Sequence, residues 1–456
     1  MSFSALNVGA SALYAAQRAA EIAAHNVANA NTPGFTRQRL EITSAVPTPG
    51  TPGVRGDGMR GNGVQVIAIS RLRDVLADLT YRNEADVSGA ADARAAVLGR
   101  AEVALGRFPD GASQSLDTFY AAWDTLSRSP QDSPAARAGV LDAGRQVAES
   151  LGSAAAQLDQ LSDDTGAKMT NSVGEVNDLA THVAALNQSI SDAVTQGASP
   201  NDLLDQRDVA LDRLATLTGS TVRVGDRQQV DVYVGNSALV TGVVTRPLAV
   251  NHTGSSWTVT VDGRSVPAAG ELGAEARVAS VDLPAFHEQL DAIAAQLATT
   301  VNAVHNASYN LDAPAGSTTP NGGDFFTGTT AATIQVRAGL TERGVAASTG
   351  GAAADGNAAL AMSALRSNGN PTTSGLLQGT QSRLGAASAD AQRQAAMTAS
   401  GLAVADEHRA SAQGVNVDEE MVDIVKYQRS YEAAARVISV ADGFLDTIIN
   451  RMGAGR

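Results

Sequence analysis

The C-terminal stretch from Val417 to Met452 restricts what this chain can fold into more than any other segment. Val417, Met421, Ile424, Gln428, Tyr431, Ala435, Ile438, Asp442, Leu445, Ile449 and Met452 recur at alternating steps of four and three, and all but Gln428 and Asp442 are apolar or Tyr. That spacing predicts a coiled-coil helix. Asn416 stands where an N-cap is needed, and Asp418, Glu419 and Glu420 put negative charge into the first turn. At about 1.5 Å per residue the helix would be roughly 50 Å long, too long for one small domain to cover. It requires a partner.

The other terminus supplies one. Leu6, Gly9, Leu13, Ala16, Ala20, Ala23, Val27 and Ala30 form a second three-four repeat, made mostly of small residues that let another helix approach closely. Two readings follow: ordinary terminal helices packed back on a globular body, or a paired rod into which everything else is inserted. The N-terminal helix should end at Ala28-Asn29-Ala30-Asn31-Thr32-Pro33-Gly34-Phe35, where Pro33 disfavours helix at Thr32 and Gly34 permits a turn. Asn26, Asn29 and Asn31 are short amides suited to bonding the open backbone groups of a helix end. An extended arm, residues 36–42, follows.

The middle changes period twice. Helical patterns cover residues 74–108, 113–126, 135–197 and a segment opening at Pro200-Asn201. From Thr218-Gly219 the period becomes two, with β-rich runs at 221–224, 230–234, 238–244 and 257–261 joined by Gly-Asp, Gly-Asn and Asp-Gly turns. Trp257, Tyr233 and the valines there are expected to form a small core of their own. Helix returns at Pro284, and again at 357–366 and 386–413, while the irregular loop 311–330 should be pinned to the bundle by Phe325 and Phe326. The fold class expected is therefore mainly α: an elongated helical bundle with paired, coiled-coil-like N- and C-terminal helices and an inserted small β domain. Its divisions would be 1–35 with 414–456, 36–218 with 284–413, and 219–283.

Catalytic chemistry has no candidate. There is no cysteine, hence no thiolate nucleophile, thiolate metal site or disulfide. His287-Glu288 is followed by Asp291 where a zinc-protease helix needs its second His. Gly56-Asp57-Gly58-Met59-Arg60-Gly61 has nucleotide-loop spacing but precedes a strand instead of following one, and Arg55-Gly56-Asp57 is too short to signify adhesion. Asp202, Asp205, Gln206 and Asp208 imitate a ligand set but read as acids near the positive end of a helix. No cofactor or metal is expected. The net charge of -14 and pI near 4.9 argue against nucleic acid or an acidic membrane surface as partner, and no apolar run reaches membrane-spanning length. The N-terminus lacks a basic region before an apolar one, so no cleaved signal peptide is expected.

Two signatures carry a resemblance. ANTPGFTRQ at 30–38 and GVNVDEEMVDIVKYQRSYEAAARVISVADGFLDTIIN at 414–450 resemble the shared N- and C-terminal signatures of bacterial flagellar rod, hook and hook-associated proteins. In the centre, NDLLDQRD at 201–208, GDFFTG at 323–328 and GNAALAMSAL at 356–365 resemble the hook-associated protein 1 family, structural proteins of the first hook–filament junction. The resemblance implies an extracellular flagellar subunit, not an enzyme, exported through the flagellar type III apparatus without signal cleavage. It implies self-association in a helical ring, contact with hook protein and with the next hook-associated protein, and a cytosolic export chaperone on the C-terminal helix. The assembly interface would include Leu6, Leu13, Val27, Met421, Ile424, Tyr431, Ile438, Leu445 and Ile449, and the N-terminal signature Asn26, Asn29, Asn31, Thr32, Pro33 and Gly34. A rod or hook subunit, or a surface adhesin carried by the β insertion, are the alternatives.

Overall fold

Long runs of Ala, Leu, Gln, Arg and Glu commit most of the chain to helix. The computed structural model describes residues 2–47, 61–131, 133–314, 317–368 and 371–447. Ile449 and Met452, the Arg-Gly-Asp tripeptide and most of the GxGxxG segment lie outside the described residues. Contacts divide the chain into two units, one of residues 1–85, 177–247 and 400–456 and the other of 86–176 and 248–399.

The first unit holds α1 (Ser2–Asn29), a ribbon of β1 (Gln38–Ser44) and β2 (Val64–Arg71), the start of α2 (Val75–Arg128) and the end of α3 (Pro134–Thr195). It also holds α4 (Asn201–Thr218), the end of α8 (Thr373–Gln413), and α9 (Val417–Asp446). The arm expected as an extended segment is thus one strand of an antiparallel pair, with a bulge between Glu41 and Ile42. Gly219, at φ 62°, closes α4 in the left-handed conformation. Beyond it β3 (Thr221–Val224), β4 (Val230–Val234), β5 (Ser237–Thr241) and β6 (Val244–Thr245) form a meander, with Val230, Val232 and Val234 turned inward at period two. One side chain of α3 pegs this sheet. Asn187 Nδ2 donates to the carbonyls of Val230 (2.8 Å) and Gly242 (2.6 Å), and its Oδ1 accepts from the Val230 amide at 3.1 Å. Asn187 also heads an Asn-x-Ser triplet, but it is fully buried, so the folded chain offers no acceptor there.

The second unit carries β7 (Leu248–Thr253), β8 (Ser256–Val261) and β9 (Arg264–Ser265) as a separate three-stranded sheet. Residues 219–283 therefore contain two sheets, one in each unit, where the turn pattern suggested one small core. The ring of Trp257 does not fill a β core. It stacks on His252 (centroids 4.0 Å apart, 9° between planes), lies over Gly166 of α3, where a Cβ would collide with it, and donates to Ser162 at 3.3 Å. After α5 (Gly270–Arg277) comes a π-helical turn, Val278–Asp282, and α6 (Leu283–Asn306). β10 (Phe326–Thr327), β11 (Gln335–Val336) and α7 (Asn357–Ala364) complete the described elements.

An aromatic cluster sits in the core of this unit. Phe119, Trp123, Phe325 and Phe326 are all at most 1% exposed, with ring centroids 4.9–6.2 Å apart. Phe325 and Phe326 pin their loop as their apolar area requires. His305 is equally buried beside them. Its Nδ1 lies 2.6 Å from the carbonyl of Gly323, which can only accept, and its Nε2 lies 3.0 Å from the amide of Ala346, which can only donate. The ring is therefore the neutral Nδ1–H tautomer. The Ala/Gly stretch before α7 is held by Asp355. Its carboxylate accepts from Ser348 Oγ, the amide and Oγ1 of Thr349, and the amides of Gly350 and Asn357, all between 2.7 and 3.0 Å.

Candidate assembly site: the terminal helix pair and the clamp beneath it

Helix α9 begins at Asn416, whose Oδ1 accepts from the amides of Asp418 (3.0 Å) and Glu419 (3.4 Å). It runs antiparallel to α1: Gly9 lies at Ile438 and Asn26 at Glu420. The fit is close, since a Cβ on Gly9 would come within 2.8 Å of Ile438 Cγ1. The paired helices expected from the two repeats are present.

The α9 seam is displaced from the expected one by one residue at alternate steps. Glu420, Ala434 and Ala441 are buried, and Ile424, Tyr427, Ile438 and Leu445 are half-buried. Ile424, Ile438 and Leu445 belong to both registers, whereas Met421 (51% exposed) and Gln428 lie outside the covered face. Gln428 and Asp442 are thus surface residues rather than polar defects in a seam. Tyr431 is 42% exposed and lines the groove between the helices with Ala16, Ala20 and Tyr427. On α1, Leu6, Leu13 and Val27 are half-buried, and Ala16, Ala19, Ile22 and Ala23 are buried. Away from α1, α9 also keeps apolar side chains without cover: Val422, Val425, Val437, Val440 and Phe444 are all exposed.

The N-terminal signature folds the chain back beneath this pair. Asn26 exchanges two hydrogen bonds with the backbone of Gln38 (2.9 and 3.0 Å), and Asn29 Nδ2 bonds the carbonyl of His25 at 3.0 Å. Asn31, Thr32, Pro33 and Gly34 form an exposed turn in which Thr32 Oγ1 donates to Asn29 Oδ1 at 3.2 Å. Gly34 has φ 77°, and a Cβ there would run into Val209 of α4. Phe35 packs edge-on against His25, with centroids 5.4 Å apart.

Helix α4 turns its acids toward the arm. Asp202 accepts from Gln38 Nε2 (2.9 Å), and Asp205 accepts from the Thr36 amide (3.1 Å) and Arg71 (2.7 Å). Asp208 accepts from Arg71 (2.9 Å), Arg73 and Arg82 (3.4 Å), and Asp212 from Arg82 (2.7 Å) and Arg409 (2.6 Å). Asp78 pairs with Arg73 and accepts from Gln413 at 3.0 Å. Asn201 Nδ2 bonds the Ile69 carbonyl at 2.9 Å. The segment NDLLDQRD is therefore a clamp that joins the arm, β2 and the start of α2, and Asp212, one turn further along α4, adds the end of α8 through Arg409.

Environment separates the acids. Burial pushes the Asp205 carboxyl up, and its bonds from Arg71 and Thr36 do not cancel that effect. Burial acts on Asp208 in the same direction, but the charges of Arg73, Arg71 and Arg82 outweigh it and hold the group below the usual range. Arg207 points the other way, to Asn187 Oδ1 (3.0 Å) and the carbonyl of Gln228 (2.5 Å); burial lowers its pKa to about 10. The sequence gives no local signal for this network, because its arginines lie far along the chain from its aspartates. Among the described residues no group of three or more His, Asp or Glu is placed to hold a metal ion. Among them, too, no helix is long and apolar enough to cross a membrane.

Antiparallel terminal helices, with the rest of the chain inserted between them, define a mainly α protein whose paired ends keep apolar side chains exposed. Residues 6–36 match the family model described as flagella basal body rod protein, and residues 408–452 the one described as flagellar basal body rod FlgEFG protein C-terminal. Residues 98–326 match the flagellar hook-associated protein FlgK helical domain, and the chain belongs to the flagellar hook-associated protein 1 (FlgK) family. It is 28% identical over 514 residues to flagellar hook-associated protein 1 of Bacillus subtilis (strain 168), covering 99% of each chain. To that of Salmonella typhimurium it is 29% identical over 338 residues, covering 71% of this chain and 59% of the relative. The fold is similar to that of the flagellar hook junction protein FlgK from Burkholderia pseudomallei, with a TM-score of 0.63 and 15% identity over 74% of this chain and 100% of that one.

Proposed function

We infer that this chain is a structural, non-enzymatic subunit of the bacterial flagellum, set at the junction of hook and filament. The observation that carries the reading is the uncovered face of α9. Val422, Val425, Val437, Val440 and Phe444 stay exposed after α1 has covered the opposite side. A single copy leaves that area in water, whereas copies related by a helical operator bury it and extend the contact along an axis. In this reading the terminal segments 1–35 and 414–456 act as one assembly domain, to which the remaining helices and both small sheets are appended. The partners are further copies of the chain, hook protein on one side and the next junction protein on the other. Before export, without signal cleavage, a cytosolic chaperone would cover the α9 face.

The test is a strain lacking the chain. Electron microscopy should show bare hooks, with filament protein shed into the medium. Intact filaments in that strain would refute the assignment.

A further inference from the structure

Helix α1 meets α9 through residues that discriminate poorly between registers. Ala16 and Ala23 are buried, Gly9 is overlain by Ile438, and Ala16 and Ala20 face Tyr427 and Tyr431 across the groove. A slide of one heptad, about 10 Å along the axis, brings small residues against large ones again. One contact does not repeat. Glu420, 2% exposed within the seam, accepts from Asn26 Nδ2 at 3.0 Å and pairs with Arg37 Nε at 2.6 Å. Asn26, 1% exposed, is itself fixed by its two bonds to the Gln38 backbone, and Gln38 is tied to Asp202 of α4.

We propose that the buried Asn26–Glu420 hydrogen bond is the register lock of the terminal helix pair, a pair of positioning residues that fixes which turn of α9 faces which turn of α1. Slid by a heptad, Glu420 loses both Asn26 and Arg37, and a buried carboxylate without partners is a strong penalty against that arrangement. A polar group in an otherwise apolar seam specifies register at a cost in stability. The lock also transmits: Gln38 bonds both Asn26 and Asp202, so the register of α9 is set relative to the clamp and not only to α1.

The chain contains no cysteine, so engineered pairs report register directly. Ala16→Cys with Tyr431→Cys marks the observed register, and Ala16→Cys with Ile424→Cys or Ile438→Cys marks a heptad slide in either direction. Each pair is oxidised in flagella isolated from cells whose only copy carries it, and intramolecular bridging is read from gel mobility. That setting rests on the flagellar reading. If the chain is missing from isolated flagella, that reading fails, and the same pairs are then tested on the purified full-length chain.

In the wild-type background only the first pair should bridge. Glu420→Leu keeps the Asn26–Gln38 bonds and adds apolar seam area; it should leave helix content intact, cut native bridging at least twofold and make a slid pair bridge. Glu420→Gln, which still accepts from Asn26, should bridge only in the native register. The proposal is overturned if Glu420→Leu bridges only natively, if it loses the helix pair altogether, or if Glu420→Gln slides as Glu420→Leu does.

Discussion

His305 offers a sharp test of the energetics inside the second unit. Burial lowers its pKa from 6.5 to about 4, because a charged ring would lose water and its Nε2 would have to surrender the Ala346 amide. In the unfolded chain the imidazole takes up a proton near pH 6.5, while in the folded chain it does so only near 4. Between those values the unfolded state binds more protons, so this group makes stability fall as pH falls. The loss amounts to roughly 3 kcal/mol in total and levels off below about pH 4. Other groups titrate there with the opposite sign: burial raises Glu275, Asp86 and Asp92, so acid favours the folded state through them. The measurement is therefore a difference between wild type and His305→Gln. Gln keeps one donor and one acceptor but removes the ring from Trp123 and Phe325, at about 1–2 kcal/mol near pH 8. Urea unfolding followed by Trp123 fluorescence, in a Trp257→Phe background, reads the unit locally. The wild-type advantage should fall by roughly 3 kcal/mol from pH 7.5 to 4, so that the two curves converge and cross. Parallel curves would refute the neutral buried imidazole.

Further outcomes follow from the clamp and the helix pair. Asp208→Asn removes the carboxylate shared by Arg71, Arg73 and Arg82 and should destabilise the first unit by about 3–5 kcal/mol, read as lost hydrogen-exchange protection in β1 and β2; unchanged protection would tell against the clamp. Gly34→Ala meets Val209 at a positive φ and should cost at least about 1–2 kcal/mol, seen as a lower thermal midpoint, whereas Asn31→Ala in the same exposed turn should change it little. Asp355→Ala should free the amides of Thr349, Gly350 and Asn357 to exchange while leaving the aromatic core protected. Leu445→Asp should leave the helical middle intact by circular dichroism yet block filament attachment; normal motility would count against the assembly site.

The terminal helices were legible because their repeats are long and their caps are local: Asn416 caps α9 as its position suggests. The exact seam was not. Two interleaved repeats share Ile424, Ile438 and Leu445, and hydrophobicity alone favours Met421 over Glu420. The structure selects Glu420 because Asn26 and Arg37 are there to receive it, a fact held by the other end of the chain. The clamp is hidden for the same reason: the acids of NDLLDQRD read locally as helix-end charge, and their partners Arg71, Arg73 and Arg82 lie more than a hundred residues away in the chain. Trp257 shows the reverse limit. Period two placed it correctly on a strand, but only the flat space over Gly166 assigns its ring to a helix instead of a β core.

Arginine dominates the clamp because one guanidinium reaches several oxygens at once: Arg71 holds Asp205 and Asp208 together, and Arg82 holds Asp208 and Asp212. A side effect is that the chain has almost no reactive amines. Its two lysines stand in opposite circumstances: Lys168 is engaged with buried Glu275 at 2.6 Å, while Lys426 stands 68% exposed on α9, on the side α1 leaves open. Acylation of Lys426 is thus a built-in footprint of that surface, fast wherever the helix is bare and slow wherever a neighbour covers it.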